Sequence, residues 1–136
     1  MPQMIFVNLP VEDLPRSVAF YNGLGWPTDA RFADDQASNA VVSEAIVVML
    51  LTKPFFAGFT PRPIADTRTG VAVLNCLSRE SRAEVDALVD RALALGATEE
   101  RAAQDMGFMY SRAFTDPDGH VWEVMWMDVT QMPAEA

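Results

Sequence analysis

The chain has 136 residues, half of them apolar, which is enough to bury one core and too little for two ordinary domains. Ten Lys and Arg stand against nineteen Asp and Glu, a formal charge of -9, and Lys53 is the single lysine. So acidic a balance repels phosphate backbones and anionic lipid heads, which excludes a nucleic-acid or membrane-surface role.

The start, Met1-Pro2-Gln3-Met4-Ile5, lacks the basic and apolar regions of a secretion signal. No apolar run approaches the roughly 20 residues needed to cross a bilayer, and the lone Cys76 has no partner for an internal disulfide. A cytoplasmic protein is the expectation, with no membrane partner and with Cys76 as a small buried hydrophobe.

Residues 5–11 are short, apolar and β-branched at alternate places, the pattern of a strand buried on at least one face. Asp13 caps a helix whose first turn holds Pro15, where a missing amide hydrogen costs nothing, and which ends at Gly23 and Gly25. Three strands are predicted next, at residues 28–32, 38–42 and 45–51, separated by Asp34-Asp35 and Ser43-Glu44. Residues 54–69 read as a linker. Its Phe55, Phe56 and Phe59, set among Pro61, Pro63 and Gly58, suit either a loop pinned to the core by its rings or a flap or dimer contact.

The same order recurs from Gly70. Residues 71–77 read as a strand, and Ser81-Arg82-Ala83-Glu84 is a capping box that opens a second helix. Val85, Leu88, Val89, Ala92 and Leu95 recur on that helix at spacings of three and four before Gly96 stops it. Strands are predicted at 98–102, 109–115 and 120–127, the last after the turn Asp116-Pro117-Asp118-Gly119. The chain therefore reads as one α+β domain of two βαβββ modules, residues 1–53 and 70–128, with a tail at 129–136. Each helix covers one face of a small mixed sheet, and the other face needs a partner, whether the opposite module or a second chain.

Two segments carry a family resemblance. Phe6-Val7-Asn8-Leu9-Pro10-Val11-Glu12-Asp13-Leu14, followed by Ser17-Val18-Ala19-Phe20-Tyr21 and Leu24-Gly25-Trp26, resembles the opening of the glyoxalase, bleomycin-resistance and extradiol-dioxygenase superfamily, also called vicinal oxygen chelate proteins. Phe114-Thr115-Asp116-Pro117-Asp118-Gly119-His120-Val121-Trp122-Glu123-Val124 resembles the segment that closes its second half. The resemblance implies paired βαβββ modules forming a cupped mixed sheet, a homodimer, and a divalent metal held by side chains from four strands. It leaves the activity open among isomerases, dioxygenases, epimerases, thiol transferases and metal-free drug-sequestering proteins.

Counting along the resemblance, the four metal positions fall at Phe6, Leu50, about Ala72, and Glu123. Only Glu123 is a metal ligand by chemistry; shifting the register offers Asn8 and Asn75 and nothing polar on the fourth strand. His120, the single histidine, lies three residues from Glu123, so strand alternation points the two to opposite faces. It reads as a partly exposed residue at a strand start. The expectation is a site with no metal cofactor, and hence without the Lewis acid or redox metal that isomerisation or extradiol cleavage requires.

Glu123 among apolar neighbours needs a partner or a proton. Arg112 and Tyr110 on the preceding strand are the expected partners. A full pair would be architectural, whereas a partly satisfied one would anchor a ligand. Glu123, Arg112, Tyr110, Asn8, Phe6 and Leu50 are the candidate ligand-binding residues, with Glu123 the candidate catalytic group if there is one. Three functions stay open: a metal-independent binder of a small, largely apolar molecule, with the acidic charge favouring a planar cation; a lyase, isomerase or dioxygenase with atypical ligands; and an interaction module whose pocket is filled by its own side chains.

Overall fold

A computed structural model describes residues 2–132. It divides into two compact units, Met1–Gly70 and Val71–Ala136. The predicted tail at 129–136 begins with a short 3-10 turn, Val129–Gln131, and from residue 133 lies outside the described residues.

The first unit holds strand β1 (Ile5–Val11), helix α1 (Leu14–Gly23), strands β2 (Ala37–Val41) and β3 (Ile46–Thr52), and helix α2 (Lys53–Ala57). Its sheet runs β1-β3-β2, with β1 parallel and β2 antiparallel to β3. The side chain of Asp13 accepts the Arg16 N–H and so starts α1, with Pro15 in the first turn. Leu14, Ser17, Phe20 and Tyr21 of α1 are buried, and the Tyr21 ring stacks on Trp26 with centroids 5.8 Å apart. Leu9, Val11, Val48 and Leu50 are the buried side of the sheet over which α1 lies.

The strand predicted at 28–32 does not form. Asp29 caps a 3-10 turn, Ala30–Phe32, by accepting the Arg31 N–H. The buried Asn39 side chain takes the place of a ladder: its Oδ1 accepts the Asp29 N–H at 2.7 Å and its Nδ2 donates to the carbonyls of Asp29 and Phe32. A polar side chain thus satisfies backbone groups that a neighbouring strand would otherwise have bonded. The linker also differs from expectation at its start. Thr52 caps α2, which packs against β1 and β3, and Phe55 meets Phe59 edge-on at 5.2 Å.

The second unit holds β4 (Leu74–Ser78), α3 (Arg82–Ala94), β5 (Thr98–Asp105), β6 (Met109–Thr115) and β7 (Val121–Met127). The sheet order is β4-β7-β6-β5; β4 runs parallel to β7 and the other pairs are antiparallel. The cap forms, with Ser81 Oγ accepting the Glu84 N–H, but the Glu84 carboxylate reaches one residue further back than a full capping box requires, its Oε2 accepting the Glu80 N–H. α3 packs across β5, β6 and β7 through buried Val85, Leu88, Val89 and Ala92. Phe114, Trp122 and Val124 are fully buried in this unit, and Trp122 and Val124 lie on the α3 side, as alternation along the last strand leads one to expect.

The turn before β7 is held by Asp116, whose Oδ1 accepts the N–H groups of Asp118 and His120. Gly119 sits at φ 90°, a left-handed conformation costly for any residue with a Cβ. His120 is only 9 % exposed and precedes the strand, so it is a buried turn residue, not the partly exposed strand start expected. Among the described residues no helix is long and apolar enough to cross a membrane.

Candidate functional site

The tight turn between β6 and β7 fixes how they pair. Thr115 faces Val121, and counting outward sets Phe114 against Trp122, Ala113 against Glu123 and Arg112 against Val124. Paired residues share a face of the sheet, and neighbours along a strand alternate. Arg112 and Glu123 therefore lie on opposite faces, and the expected pair between them does not form.

Arg112 faces α3 instead. Its Nη1 donates to Asp86 Oδ1 at 3.0 Å and Asp90 Oδ1 at 2.8 Å, and its Nε donates to Glu99 Oε2 at 2.9 Å. Three carboxylates hold its guanidinium charged far above any accessible pH, Glu99 first among them. Tyr110 donates to Asp86 Oδ1 at 2.7 Å, which holds the Asp86 carboxyl below the ordinary carboxylate range and raises the Tyr110 hydroxyl. These two candidate residues thus tie the sheet to α3, and the structure does not bring them to Glu123.

Glu123 is met by Arg101, a residue absent from the sequence-based candidates. Arg101 Nη2 donates to Glu123 Oε2 at 2.9 Å and to Ser111 Oγ at 3.4 Å, and Nη1 donates to the Ala102 carbonyl at 3.3 Å. Both partners are half-buried, with side chains 28 % and 22 % exposed. The reason lies in β5. Glu99 pairs with Phe114 and Arg101 with Ala113, so two steps on β5 match one on β6, and a second irregularity follows before Gln104. A one-residue bulge flips every later side chain to the other face. Glu99 accordingly reaches Arg112 on the α3 side, while Arg101 emerges on the open side.

One row then crosses the whole sheet: Arg101, Ala113, Glu123, Cys76. The small Ala113 lets the guanidinium pass over β6 to reach the carboxylate on β7. Cys76, on the outer strand β4, is exposed and not the buried hydrophobe expected. Partial desolvation, with the Glu123 carboxylate beside it, raises the Cys76 thiol above its ordinary range. Among the described residues, Glu123 Oε1 has no hydrogen-bond partner.

In the first unit the candidates divide by face. Phe6 pairs with Val47 and Asn8 with Met49, whereas Leu50 pairs with Leu9. Phe6 and Asn8 are exposed, and Asn8 Nδ2 donates to the Phe6 carbonyl at 3.3 Å. Leu50 is fully buried on the α1 side, so it does not share their face. Ala72 precedes β4 and lies in no strand, and Asn75 pairs with Trp122 on the α3 side. Cys76 stands as far before the Ser81 cap as Asn8 does before Asp13. The first-unit counterparts of the Cys76–Glu123 couple are therefore Asn8 and Met49.

Neither unit gathers donors that fit the metal the fold family implies. Asn and Met are poor ligands for a hard or borderline divalent ion, and Glu123 already accepts a hydrogen bond from a guanidinium. Among the described residues no group of three or more His, Cys, Asp and Glu could hold a metal ion.

With two mixed sheets, each backed by a helix, the chain is an α+β protein with the architecture of glyoxalase and bleomycin-resistance proteins. The family model described as Glyoxalase/Bleomycin resistance protein/Dioxygenase superfamily matches residues 3–124, and the chain belongs to that family. Similar solved structures include a glyoxalase/bleomycin resistance protein/dioxygenase family enzyme from Burkholderia phytofirmans PsJN, at 19% identity and TM-score 0.76, covering 93% of this chain and 100% of that one. A glyoxalase-related enzyme from Fulvimarina pelagi is 23% identical with TM-score 0.77, covering 93% and 88%. Lactoylglutathione lyase from Agrobacterium tumefaciens is 21% identical with TM-score 0.66, covering 95% and 96%. Likeness at this level of identity shows the fold. No curated protein matches the chain.

Proposed function

We propose that this chain binds a small, largely apolar molecule without the family's metal, using Glu123 and Arg101 on the open face of the second sheet as the polar anchor. One observation carries the reading. At the position where the family resemblance puts a metal ligand, the carboxylate is neutralised by a guanidinium yet one of its oxygens has no partner among the described residues, on a half-buried face. A metal site would have gathered more donors around that carboxylate.

Within the first unit, Phe6 and Asn8 are the candidate residues exposed on the side of their own sheet away from α1. Arg112, Tyr110 and Leu50 are committed to the helix-covered faces and are not part of the proposed anchor. Cytoplasmic action as a homodimer completes the proposal. Exposed Ile5 and Phe6 on outer strand β1, and Val71, Val73 and Leu74 at and before outer strand β4, support a second copy as partner.

Thermal-shift screening of planar aromatic compounds against metal-stripped protein tests the binding role. Saturable stabilisation by at least one compound in the presence of chelator, lost in Glu123→Gln, is expected. Stabilisation that requires an added divalent metal, or none across the screen, rejects the proposal.

A further inference from the structure

We infer that the group recognised at the Arg101–Glu123 pair is neutral, with a hydrogen-bond donor and acceptor side by side, as in a primary carboxamide, and is neither a free cation nor a free carboxylate. The inference rests on the binding role proposed above and narrows its ligand.

Charge balance is the first ground. Although the chain as a whole carries -9, Arg101 cancels Glu123 locally at 2.9 Å. A cation bonded to the free Glu123 oxygen would sit beside a guanidinium, and an anion bonded to Arg101 would sit beside a carboxylate. On a half-desolvated face neither repulsion is fully screened. A neutral group meets neither.

The remaining bonding capacity is the second ground. Glu123 Oε1 is a free acceptor among the described residues. Arg101 spends its two Nη2 hydrogens on Glu123 and Ser111 and one Nη1 hydrogen on the Ala102 carbonyl, leaving its Nε–H and the second Nη1–H as donors. An ion pair that keeps both an acceptor and donors is the complement of a carboxamide, whose NH2 donates and whose oxygen accepts. Position is the third ground. Arg101 lies between two irregularities of β5, which aim its side chain across Ala113 and hold the guanidinium in place before any ligand arrives.

Three probes with one ring system separate the possibilities: 2-naphthamide, 2-naphthoate and 2-naphthamidine, titrated into the whole chain while backbone amide resonances of Ser111, Ala113 and Glu123 are followed by NMR. The amide is expected to shift these resonances saturably, with the acid and the amidine about tenfold weaker or more. Arg101→Met should reverse the preference toward the amidine, and Glu123→Gln toward the acid, because each leaves one charge uncompensated. The unchanged spectrum of resonances distant from the row reports that each variant folds, and the wild-type comparison stands without them. An acid or amidine that binds at these residues as well as the amide overturns the inference and leaves the binding role standing. No response to any probe or to the wider aromatic screen overturns both.

Discussion

Arg101 and Glu123 meet across an intervening strand, 2.9 Å apart, because Ala113 between them has no side chain beyond Cβ and because a bulge turns Arg101 onto Glu123's face. The pair is a consequence of register as much as of charge. Nothing in the spacing of residues 101 and 123 announces it.

Enlarging the residue beneath the pair should separate it. Ala113 is fully buried, so Ala113→Leu is expected to cost about 1–3 kcal/mol in overpacking. Urea unfolding should show a lower midpoint with an unchanged slope. A midpoint equal to wild type would mean that the face above Ala113 is open enough to take the larger side chain.

Arg112 holds three acidic side chains from α3 and β5, and its own side chain is only 11 % exposed. Arg112→Met leaves those carboxylates facing one another and is expected to lose about 1–3 kcal/mol, less than a fully buried pair because the acids are largely solvated. Tyr110→Phe, which removes one hydrogen bond to Asp86, should lose about 0.5–1.5 kcal/mol. Equal losses in the two variants would argue against Arg112 as the hub.

Arg82 grips Asp105 with two hydrogen bonds of 2.7 and 2.8 Å and lies over the rings of Tyr110 and Trp126. That grip, with the Gly107 N–H, lowers the Asp105 carboxyl to about 2. A depressed carboxylate stabilises the fold fully above its ordinary unfolded value, and the contribution is lost as pH falls through the folded value. Side-chain carboxyl NMR should therefore place the Asp105 titration near that lowered value and, in Arg82→Met, closer to that of an ordinary aspartate. An Asp105 midpoint unmoved by the substitution would assign its shift to some other cause.

Cys76 gives a chemical reading of the same row. Partial desolvation and then the Glu123 carboxylate raise its thiol, so alkylation should follow a midpoint above the ordinary thiol value. Glu123→Gln removes one cause and frees Arg101 to act as the other charge. The midpoint should fall; a rise or no change would contradict the placement of Cys76 beside Glu123.

Helices α1 and α3, their Asp13 and Ser81 caps and the β6–β7 turn are legible in the sequence because they follow from local rules that need no tertiary knowledge. The face of Arg112 is also within reach, since counting outward from the Asp116–Gly119 turn sets it opposite Val124. Arg101 is not, because a bulge leaves no reliable mark in composition and reverses the alternation from which faces are inferred. The missing strand at 28–32 has a similar cause: Asn39, distant in sequence, supplies the hydrogen bonds that turn this segment into a 3-10 turn. Leu50 lies on the face opposite to the one expected because counting from a strand's end is sensitive to a shift of one residue, which reverses the outcome.

The most direct test of a metal-free anchor is isothermal titration of Mn2+, Fe2+, Ni2+ and Zn2+ into metal-stripped, anaerobic protein, in wild type and in Glu123→Gln. With Arg101 already bonded to Glu123, no stoichiometric metal uptake is expected in either form. One metal per chain bound at micromolar or tighter affinity in wild type, and lost in Glu123→Gln, would show that the carboxylate serves a metal and contradict Arg101 as its partner in the anchor.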